Sequence, residues 1–242
     1  MNIKNPSTFE YESIIPSDLT KKNIIMIGRG DDPLKRFDLG IKAMKYIIKE
    51  IPECEMNILS IPQNNYEILI KNLSLEKNVR FVGYQEKIEI FLKNSSLHIF
   101  PSIGECYPMV LSETKMFGIP SIIIGLDYLK LAKGGTVIIY DDEPYSIAKE
   151  AIKILKNYKY RKFLGNEARK SIKKQNNSEI GKKWVKILLS VYEGKELVFS
   201  KKSAITLKET KKILYNQFML LRKRIPNLRN LTLKKLIKFS LI

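Results

Sequence analysis

Short apolar runs alternate with amphipathic stretches from residue 23 onward. The runs that predict β-strands are 23–28, 55–61, 79–83, 97–100, 121–125 and 136–140. The stretches that predict helices, from apolar residues at helical spacing, are 37–50, 64–73, 85–94, 108–117, 144–156, 159–174 and 178–193. Strands that are apolar on both faces and separated by helices are typical of a parallel sheet covered on both sides. The pattern therefore predicts an α/β fold with a doubly wound parallel sheet.

The two ends of the chain do not share this alternation. Residues 1–22 are polar, contain Pro6 and Pro16 and show no sustained period, which predicts an extended linker. Residues 197–242 form a basic segment with helical periodicity. The predicted organisation is a linker at 1–22, a Rossmann-like domain at 23–196 and a basic helical C-terminal tail at 197–242.

The net charge of +18 comes mainly from this tail. Residues 200–242 contain nine Lys and three Arg against one Glu, a balance of +11. The apolar residues near one helical face of the tail are Leu207, Leu214, Phe218, Leu221 and Ile225. A basic amphipathic helix suits an anionic membrane surface, although a helix docked on the domain or a solvated end would have the same composition. Because the charge is concentrated in the tail and no nucleic-acid-binding module is found, nucleic acid is not an expected partner.

The cysteine content bears on the redox state of the compartment in which the protein is found. Cys54 and Cys106 are the two cysteines, and no signal-peptide pattern precedes the domain, so we expect a reducing cytoplasm, with the tail at the inner face of the membrane. Apolar stretches such as 119–126 are well below the roughly 18–20 residues that span a bilayer. An integral membrane protein is not expected.

The first predicted strand ends in a glycine-containing turn. Gly28 and Gly30 flank Arg29 and begin the dinucleotide fingerprint G-x-G-x-x-G, but Pro33 stands at the third glycine. The fingerprint is therefore absent, and a turn just before a helix remains.

The turn is basic. Arg29, Lys35 and Arg36 stand beside a predicted helix N-terminus, where amide groups and the helix dipole favour an anion such as a diphosphate. The alternative is a solvated loop whose basic residues serve only solubility. Asp31 and Asp32 are adjacent carboxylates of a kind common in turns, so no metal is assigned to them.

The stretch PSIGECYPMVLSETKMFGIP, residues 101–120, contains two glutamates eight positions apart. Glu105 is predicted in a loop, and Glu113 roughly 7–8 Å along a helix that begins near Pro108. Carboxylates accept hydrogen bonds from hydroxyl groups, and the free amides of about residues 107–110 would stabilise a phosphate. The alternative is two ordinary surface glutamates. His98, the single histidine, is predicted in a strand and is expected in the core rather than as a general base.

This stretch resembles the P-S-x-x-E-x-[FY]-[GP]-x-x-x-x-E-x-x-x-x-G-x-P signature of the family 4 (group 1) retaining glycosyltransferases of the GT-B fold. The turn from IIMIGRG through Lys35 and Asp38 is similar to the family's G-R…K-G-x-D turn, and NVRFVGY at 78–84 resembles its N-V-x-F-x-G-Y strand. The resemblance covers about residues 23–193. It departs from the family pattern where Arg36 replaces the usual Gly, with one extra residue between Arg29 and Lys35.

The resemblance implies a site for a nucleotide diphosphate sugar, with no metal and no other cofactor. Its implied catalytic residues are Arg29 and Lys35, which would hold the diphosphate and stabilise the leaving nucleotide, and Glu105, which would meet the donor sugar. The implied donor-binding residues are Gly28 in the turn, Tyr84 near the base, Cys106 at the family's usual glycine, the amides of Met109 and Val110, and Glu113 at the ribose hydroxyls.

The resemblance also implies a second domain. Enzymes of this family use two Rossmann-like domains, and this chain matches only the C-terminal, donor-binding one. Transfer of a sugar to a saccharide or lipid-linked acceptor is therefore expected to need an acceptor domain from another polypeptide or an upstream region. A non-catalytic nucleotide-sugar-binding or partner subunit is the main alternative, and a nucleotide-sugar epimerase is a third.

Overall fold

The computed structural model describes residue 5, residues 7–127 and 129–173, and positions 180–182, 184, 185 and 188. Most of the predicted helix at 178–193 and the whole tail at 197–242 lie outside the described residues, so the membrane interaction of the tail stays a prediction. No helix within the described ranges is both long and apolar enough to cross a membrane.

Six parallel strands form one sheet in the order β3-β2-β1-β4-β5-β6. The strands are β1 Asn23–Ile27, β2 Glu55–Leu59, β3 Val79–Phe81, β4 Leu97–Phe100, β5 Ser121–Ile124 and β6 Thr136–Ile139. Each strand begins at the predicted residue. β4 also ends at the predicted residue, and the other strands end one or two residues earlier than predicted. The predicted parallel sheet is confirmed.

Helices connect the strands. They are α1 Phe37–Glu50, α2 Asn64–Asn72, α3 Glu89–Lys93, α4 Met109–Met116, α5 Pro144–Lys156 and α6 Tyr158–Ile172. The helix predicted at 85–94 is the one that differs most, because it begins only at Glu89. The side-chain amide of Gln85 donates to the carbonyl of Val82 at 2.5 Å, which keeps the chain in a turn just before the helix.

Both faces of the sheet are covered, as a doubly wound fold requires. Alternate residues of β1 enter different cores: Ile24 and Met26 pack with α1, α2 and α5, whereas Ile25 packs with α3 and α4. All three side chains are fully buried. This explains why Ile24, Ile25 and Met26 are all apolar.

The order of the strands reverses between β1 and β4. After β1 the chain continues outward through β2 and β3, and it then returns to place β4 on the other side of β1. In open parallel sheets, ligands bind beyond the carboxyl ends of the strands at such a switch point. The loops after Ile27 and Phe100 are therefore the expected position of a ligand-binding site.

Residues 7–19, which we call the N-terminal segment, pack along α4 and α6. The segment contains one 3-10 turn, Tyr11–Ser13, and is otherwise irregular. The amide of Ser17 donates to the carbonyl of Phe117 at 2.9 Å, and the guanidinium of Arg169 lies 4.4 Å from the centre of the Tyr11 ring. Ile14 is buried against the domain. This part of the predicted linker is thus fixed against the domain.

Gly135 packs closely against α6. It has φ of +65°, and a Cβ atom there would lie 2.4 Å from both the Leu164 carbonyl oxygen and the Ala168 Cβ. The carbonyl groups of the two residues just before it, 133 and 134, accept hydrogen bonds from the side chain of Lys115 in α4.

Lys115 of α4 is fully buried. Its ammonium donates to the carbonyl of Lys133 at 3.0 Å, to the hydroxyl of Thr136 at 3.0 Å and to the carbonyl of Gly134. Burial lowers the pKa of Lys115 to about 7, although the three oxygens favour the charged form. The lysine fastens α4 to the turn that precedes β6.

Replacing Lys115 with Met is expected to change how the free energy of unfolding depends on pH. Between pH about 7 and 10.5 the unfolded chain binds more protons at this lysine than the folded chain does, so its contribution to stability rises with pH. The free energy of unfolding of the wild type, relative to that of Lys115→Met, should therefore rise by at most about 1.4 kcal/mol per pH unit in this window. Urea unfolding of both proteins at several pH values measures the difference, and a difference that stays constant with pH would contradict the expectation.

Candidate functional site

Two loops meet beyond the carboxyl ends of β1 and β4. They are residues 28–36, which follow β1, and residues 101–108, which follow β4. The amide of Ile103 donates to the carbonyl of Leu34 at 3.0 Å, so the loops are joined through their backbones. The switch point of the sheet thus carries one connected surface made of both loops.

An ion pair joins the same two loops. The ammonium of Lys35 lies 2.5 Å from Oε1 of Glu105, and the hydroxyl of Ser102 donates to the same oxygen at 2.8 Å. Both members of the pair are mostly buried. Lys35 is oriented by the 3-10 turn Pro33–Lys35, in which Asp32 accepts a hydrogen bond from the amide of Leu34 at 3.0 Å. An ammonium has three donors, so Lys35 can keep Glu105 and still bind an anion.

The N-terminus of α4 follows directly. Pro108 precedes the first helical residue, and no side chain caps the helix there. Within residues 7–127 and 129–173, the amides of Met109 and Val110 donate to no acceptor. Uncapped amides at the positive end of a helix dipole favour a negatively charged ligand. Cys106, just before this helix, is an exposed free thiol.

The three cations of the first turn do not point the same way. Arg29 is 77% exposed and forms a 3.2 Å ion pair with Asp32. The hydrogen bond from the Leu34 amide lowers the pKa of Asp32, and the Arg29 guanidinium lowers it further. Arg36 has a left-handed backbone, with φ of 49° and ψ of 43°, and its guanidinium lies 3.2 Å from Asp38 and 3.8 Å from Asp142. All three cations are thus paired with carboxylates, Arg29 with Asp32, Lys35 with Glu105 and Arg36 with Asp38 and Asp142. Their interpretation as a diphosphate site stays a prediction.

A cavity of about 480 Å³ opens among the loops that follow β1, β2 and β3. Gly28 and Arg29 form one side, Ser60 and Gln63 another, and Tyr84 a third. The Tyr84 side chain is 78% exposed, so its ring is free to stack on a flat ligand. Gly28 leaves little room for a side chain, since a Cβ there would lie 3.3 Å from the Phe37 ring.

Glu113 lies four residues into α4 and is only 6% exposed. Its Oε1 accepts a hydrogen bond from the hydroxyl of Thr8 at 2.5 Å. Burial raises the pKa of Glu113, and the bond from Thr8 opposes the shift. Thr8 belongs to the N-terminal segment, where the sequence predicted only a linker, and no sequence motif pointed to it.

The structure thus brings the predicted site residues into neighbouring groups at one edge of the sheet. Gly28, Arg29 and Tyr84 line the cavity, while Lys35 and Glu105 form the ion pair between the loops. The remaining predicted residues, Cys106, Met109, Val110 and Glu113, lie just before α4 or within it. The chemical roles assigned to all of them stay predictions.

Two further observations concern groups of metal-ligating side chains and the single histidine. Within the described ranges, no group of three or more His, Cys, Asp or Glu side chains is placed to hold a metal ion. His98 is fully buried in β4, and burial together with the nearby Lys115 lowers the pKa of His98 to about 3. The prediction that His98 belongs to the core is confirmed.

Comparison with known proteins identifies the family. The family model described as "Glycosyl transferases group 1" matches residues 8–171, which is more than half of the chain. The match includes the N-terminal segment from Thr8, both loops and all six helices up to Ser171 in α6.

Curated relatives are longer than this chain. An α-1,4-N-acetyl-D-galactosaminyltransferase of Campylobacter jejuni, acting on an undecaprenol-linked diphosphate glycan, is 28% identical over 194 residues, which are 77% of this chain and 54% of that protein. The N-acetyl-α-D-glucosaminyl L-malate synthase of Bacillus anthracis is 30% identical over 115 residues, which are 46% of this chain and 30% of that protein. The chain therefore spans about half the length of the first relative and less of the second.

Solved structures share the fold. The pneumococcal O-GlcNAc transferase GtfA, in complex with UDP and GlcNAc, superposes with a TM-score of 0.64 at 18% identity. The superposition covers 78% of this chain and 38% of GtfA. At this identity the likeness establishes the Rossmann-like fold and leaves the ligand of this chain to be argued from its own residues.

Proposed function

The chain belongs to the group 1 glycosyltransferases, and from this membership we propose that it binds the donor for transfer of a sugar from a nucleoside diphosphate sugar to a saccharide or lipid-linked acceptor. The observation that carries the proposal is the joined pair of loops at the switch point. Lys35 and Glu105 pair across these loops, and the second loop ends at the uncapped start of α4. Gly28 and Arg29 of the first loop also line the cavity that contains the exposed Tyr84. Cations and amides suit a diphosphate, carboxylates suit hydroxyl groups, and the cavity suits a base.

In this proposal Lys35 and Arg29 bind the diphosphate. When the bond from the anomeric carbon to the diphosphate oxygen breaks, the electron pair and negative charge remain on the nucleoside diphosphate. Fixed positive charges and amide dipoles stabilise that charge without first having to reorganise. Lys35 is held in place by Glu105 before the donor arrives, whereas Arg29 needs only to leave an exposed pair with Asp32, which costs little.

The other predicted residues hold the rest of the donor. The carboxylate of Glu105, which Ser102 and Lys35 orient, accepts a hydrogen bond from a sugar hydroxyl. Glu113 accepts one from the ribose, and Tyr84 lies at the base in the cavity. The cations and the helix end neutralise the diphosphate, so the proposal includes no metal.

Titration calorimetry with uridine, guanosine and adenosine diphosphates, and with their sugar conjugates, tests donor binding. We expect one nucleotide series to bind, with an affinity that EDTA does not change. Replacing Arg29 with Gln should weaken that binding about tenfold, since a charged hydrogen bond is lost. Arg80→Gln is the matched control, because Arg80 is also an exposed arginine in an ion pair, with Glu55 at 2.8 Å, but lies outside the cavity.

Absence of binding to every nucleotide would overturn the proposal. Equal effects of the Arg29 and Arg80 substitutions would instead reject the assigned position of the diphosphate. If a donor binds, incubation of the labelled sugar nucleotide with a co-purified partner and saccharide or lipid-linked acceptors separates the alternatives. Transfer supports the enzyme, whereas binding without transfer or hydrolysis supports a non-catalytic partner subunit. The proposal includes the need for an acceptor domain, supplied by another polypeptide or by an upstream region.

A further inference from the structure

Thr8 is held over α4 by the residues on either side of it. The hydroxyl of Ser7 donates to the sulfur of Met116 at 3.0 Å, and the ring of Phe9 packs edge-on against Phe117, with ring centres 5.3 Å apart. Ser7 is buried. Thr8 is thus fixed between two anchored neighbours, and its hydroxyl meets Glu113 on the adjacent turn of α4.

The bond uses one oxygen of the carboxylate and leaves the other open. Oε1 of Glu113 accepts from Thr8, which among the described residues is the one hydrogen-bond partner of this carboxylate. Some fully buried polar atoms of the described residues have no hydrogen-bond partner, and Oε2 of Glu113 is not one of them. A carboxylate has acceptor positions on both oxygens, so Oε2 can still accept from a ligand hydroxyl.

The bond also restricts the carboxylate. A glutamate side chain has three rotatable bonds, and fixing them costs conformational entropy. With Oε1 tied to a fixed hydroxyl, the carboxylate plane and the direction of Oε2 are set before a ligand arrives. A preset acceptor loses less conformational entropy on binding than a free one.

We propose that Thr8 is a positioning residue for the donor site, which orients Glu113 so that its free oxygen accepts a hydrogen bond from the ribose of the donor nucleotide. The inference rests on the proposed function, because it requires a ribonucleotide at Glu113. It assigns to the N-terminal segment a part in donor recognition. Thr8 does not itself touch the ligand.

The test compares ribose with a sugar that lacks its hydroxyl groups. Titration calorimetry is carried out with the nucleoside diphosphate that the wild type binds and with its 2′,3′-dideoxy counterpart. Thr8→Val removes the hydroxyl and keeps the shape of the side chain, and Thr8→Ser keeps the hydroxyl. Ser13→Ala is the matched control, since it removes a hydroxyl from the same segment that bonds only to the carbonyl of Glu10 at 2.9 Å.

Thr8→Val is expected to weaken binding of the ribonucleotide about tenfold and to leave binding of the dideoxynucleotide unchanged. Thr8→Ser and Ser13→Ala should both stay close to the wild type, and the melting temperatures of all variants should confirm that they fold. This pattern is specific to the ribose hydroxyls, and a general loosening of the segment would not produce it.

Three results would overturn the inference. In the first, Thr8→Val binds both nucleotides as the wild type does. In the second, it loses equal affinity for both, which would make the contact merely structural. In the third, the wild type itself does not distinguish ribose from dideoxyribose, so that Glu113 does not bind the ribose. Failure of the wild type to bind any nucleoside diphosphate is a different result, which removes the proposed function and this inference together.

Discussion

Replacing Lys35 with Met is expected to weaken binding of a nucleoside diphosphate by about 100-fold, the largest effect of any single substitution in the site. The substitution removes a charged hydrogen bond to the diphosphate, and such bonds contribute about 1.5–3 kcal/mol. It also leaves the carboxylate of Glu105, now paired at 2.5 Å, without its cation beside an anionic ligand. Repulsion between this carboxylate and the anionic ligand opposes binding further. Titration calorimetry with the nucleotide that the wild type binds measures the effect.

Lys22→Met is the matched control for this experiment. Lys22 makes a similar 2.6 Å pair with Glu53, but it stands just before β1, at the opposite end of that strand from the site. Its loss should leave nucleotide affinity unchanged. Adding Glu105→Gln to Lys35→Met should recover part of the lost affinity, because the uncompensated carboxylate is removed. An unchanged affinity in Lys35→Met would exclude Lys35 from the diphosphate site.

Replacing Gly135 with Ala is expected to lower the free energy of unfolding by about 2–5 kcal/mol. A side chain at a positive φ costs about 1–2 kcal/mol, and overpacking adds typically 1–3 kcal/mol. Here the new methyl group would meet the backbone oxygen of Leu164 at 2.4 Å, so α6 or the turn at 133–135 must move. That turn also supplies carbonyl acceptors to the buried Lys115. Urea unfolding followed by circular dichroism gives the change.

Gly83→Ala separates the two contributions. Gly83 has a similar φ of +75°, and a Cβ there would meet nothing within 4 Å. It should lose only the conformational part, about 1–2 kcal/mol. If the two alanine variants were equally stable, α6 would yield to the extra methyl group at no cost, and the contact at Gly135 would not constrain the fold.

The strands and helices could be predicted because their signals are local and repeated. The strands of this sheet are buried on both faces, so runs such as Ile24, Ile25 and Met26 have no polar interruption to confuse their assignment. The limits of α3 were harder to predict, since they depend on the bond from Gln85 back to Val82. A side chain that competes for the backbone leaves no periodic signal.

The meeting of the two loops could also be predicted, since in a doubly wound sheet the loops at the carboxyl ends converge. Lys35 and Glu105 are 70 residues apart in the sequence, yet the order of the strands brings their loops together. The direction of each side chain could not be predicted. Arg36 takes the left-handed backbone that glycine usually adopts, and its guanidinium is held by Asp38 and Asp142.

Two other residues were missed for a common reason. Lys115 is a charged residue in a short helix, and charged residues are rarely buried unless they are paired. Its acceptors come from a turn about 20 residues later, so only the tertiary structure reveals them. Thr8 lies in a polar segment without periodicity, and its partner Glu113 is 105 residues away. Long-range polar contacts of this kind are specific to the folded chain.

The backbone bond from Ile103 to Leu34 has a consequence for synthesis of the protein. β1, with its basic turn, emerges from the ribosome early, but the carboxylate that holds Lys35 and the start of α4 follow only after β4. A nascent chain that ends before residue 105 therefore has Lys35 without the carboxylate that pairs with it. In the proposed function, the donor site is complete only when β4 has joined the sheet beside β1, and a bound nucleotide would then stabilise that non-local pairing by mass action.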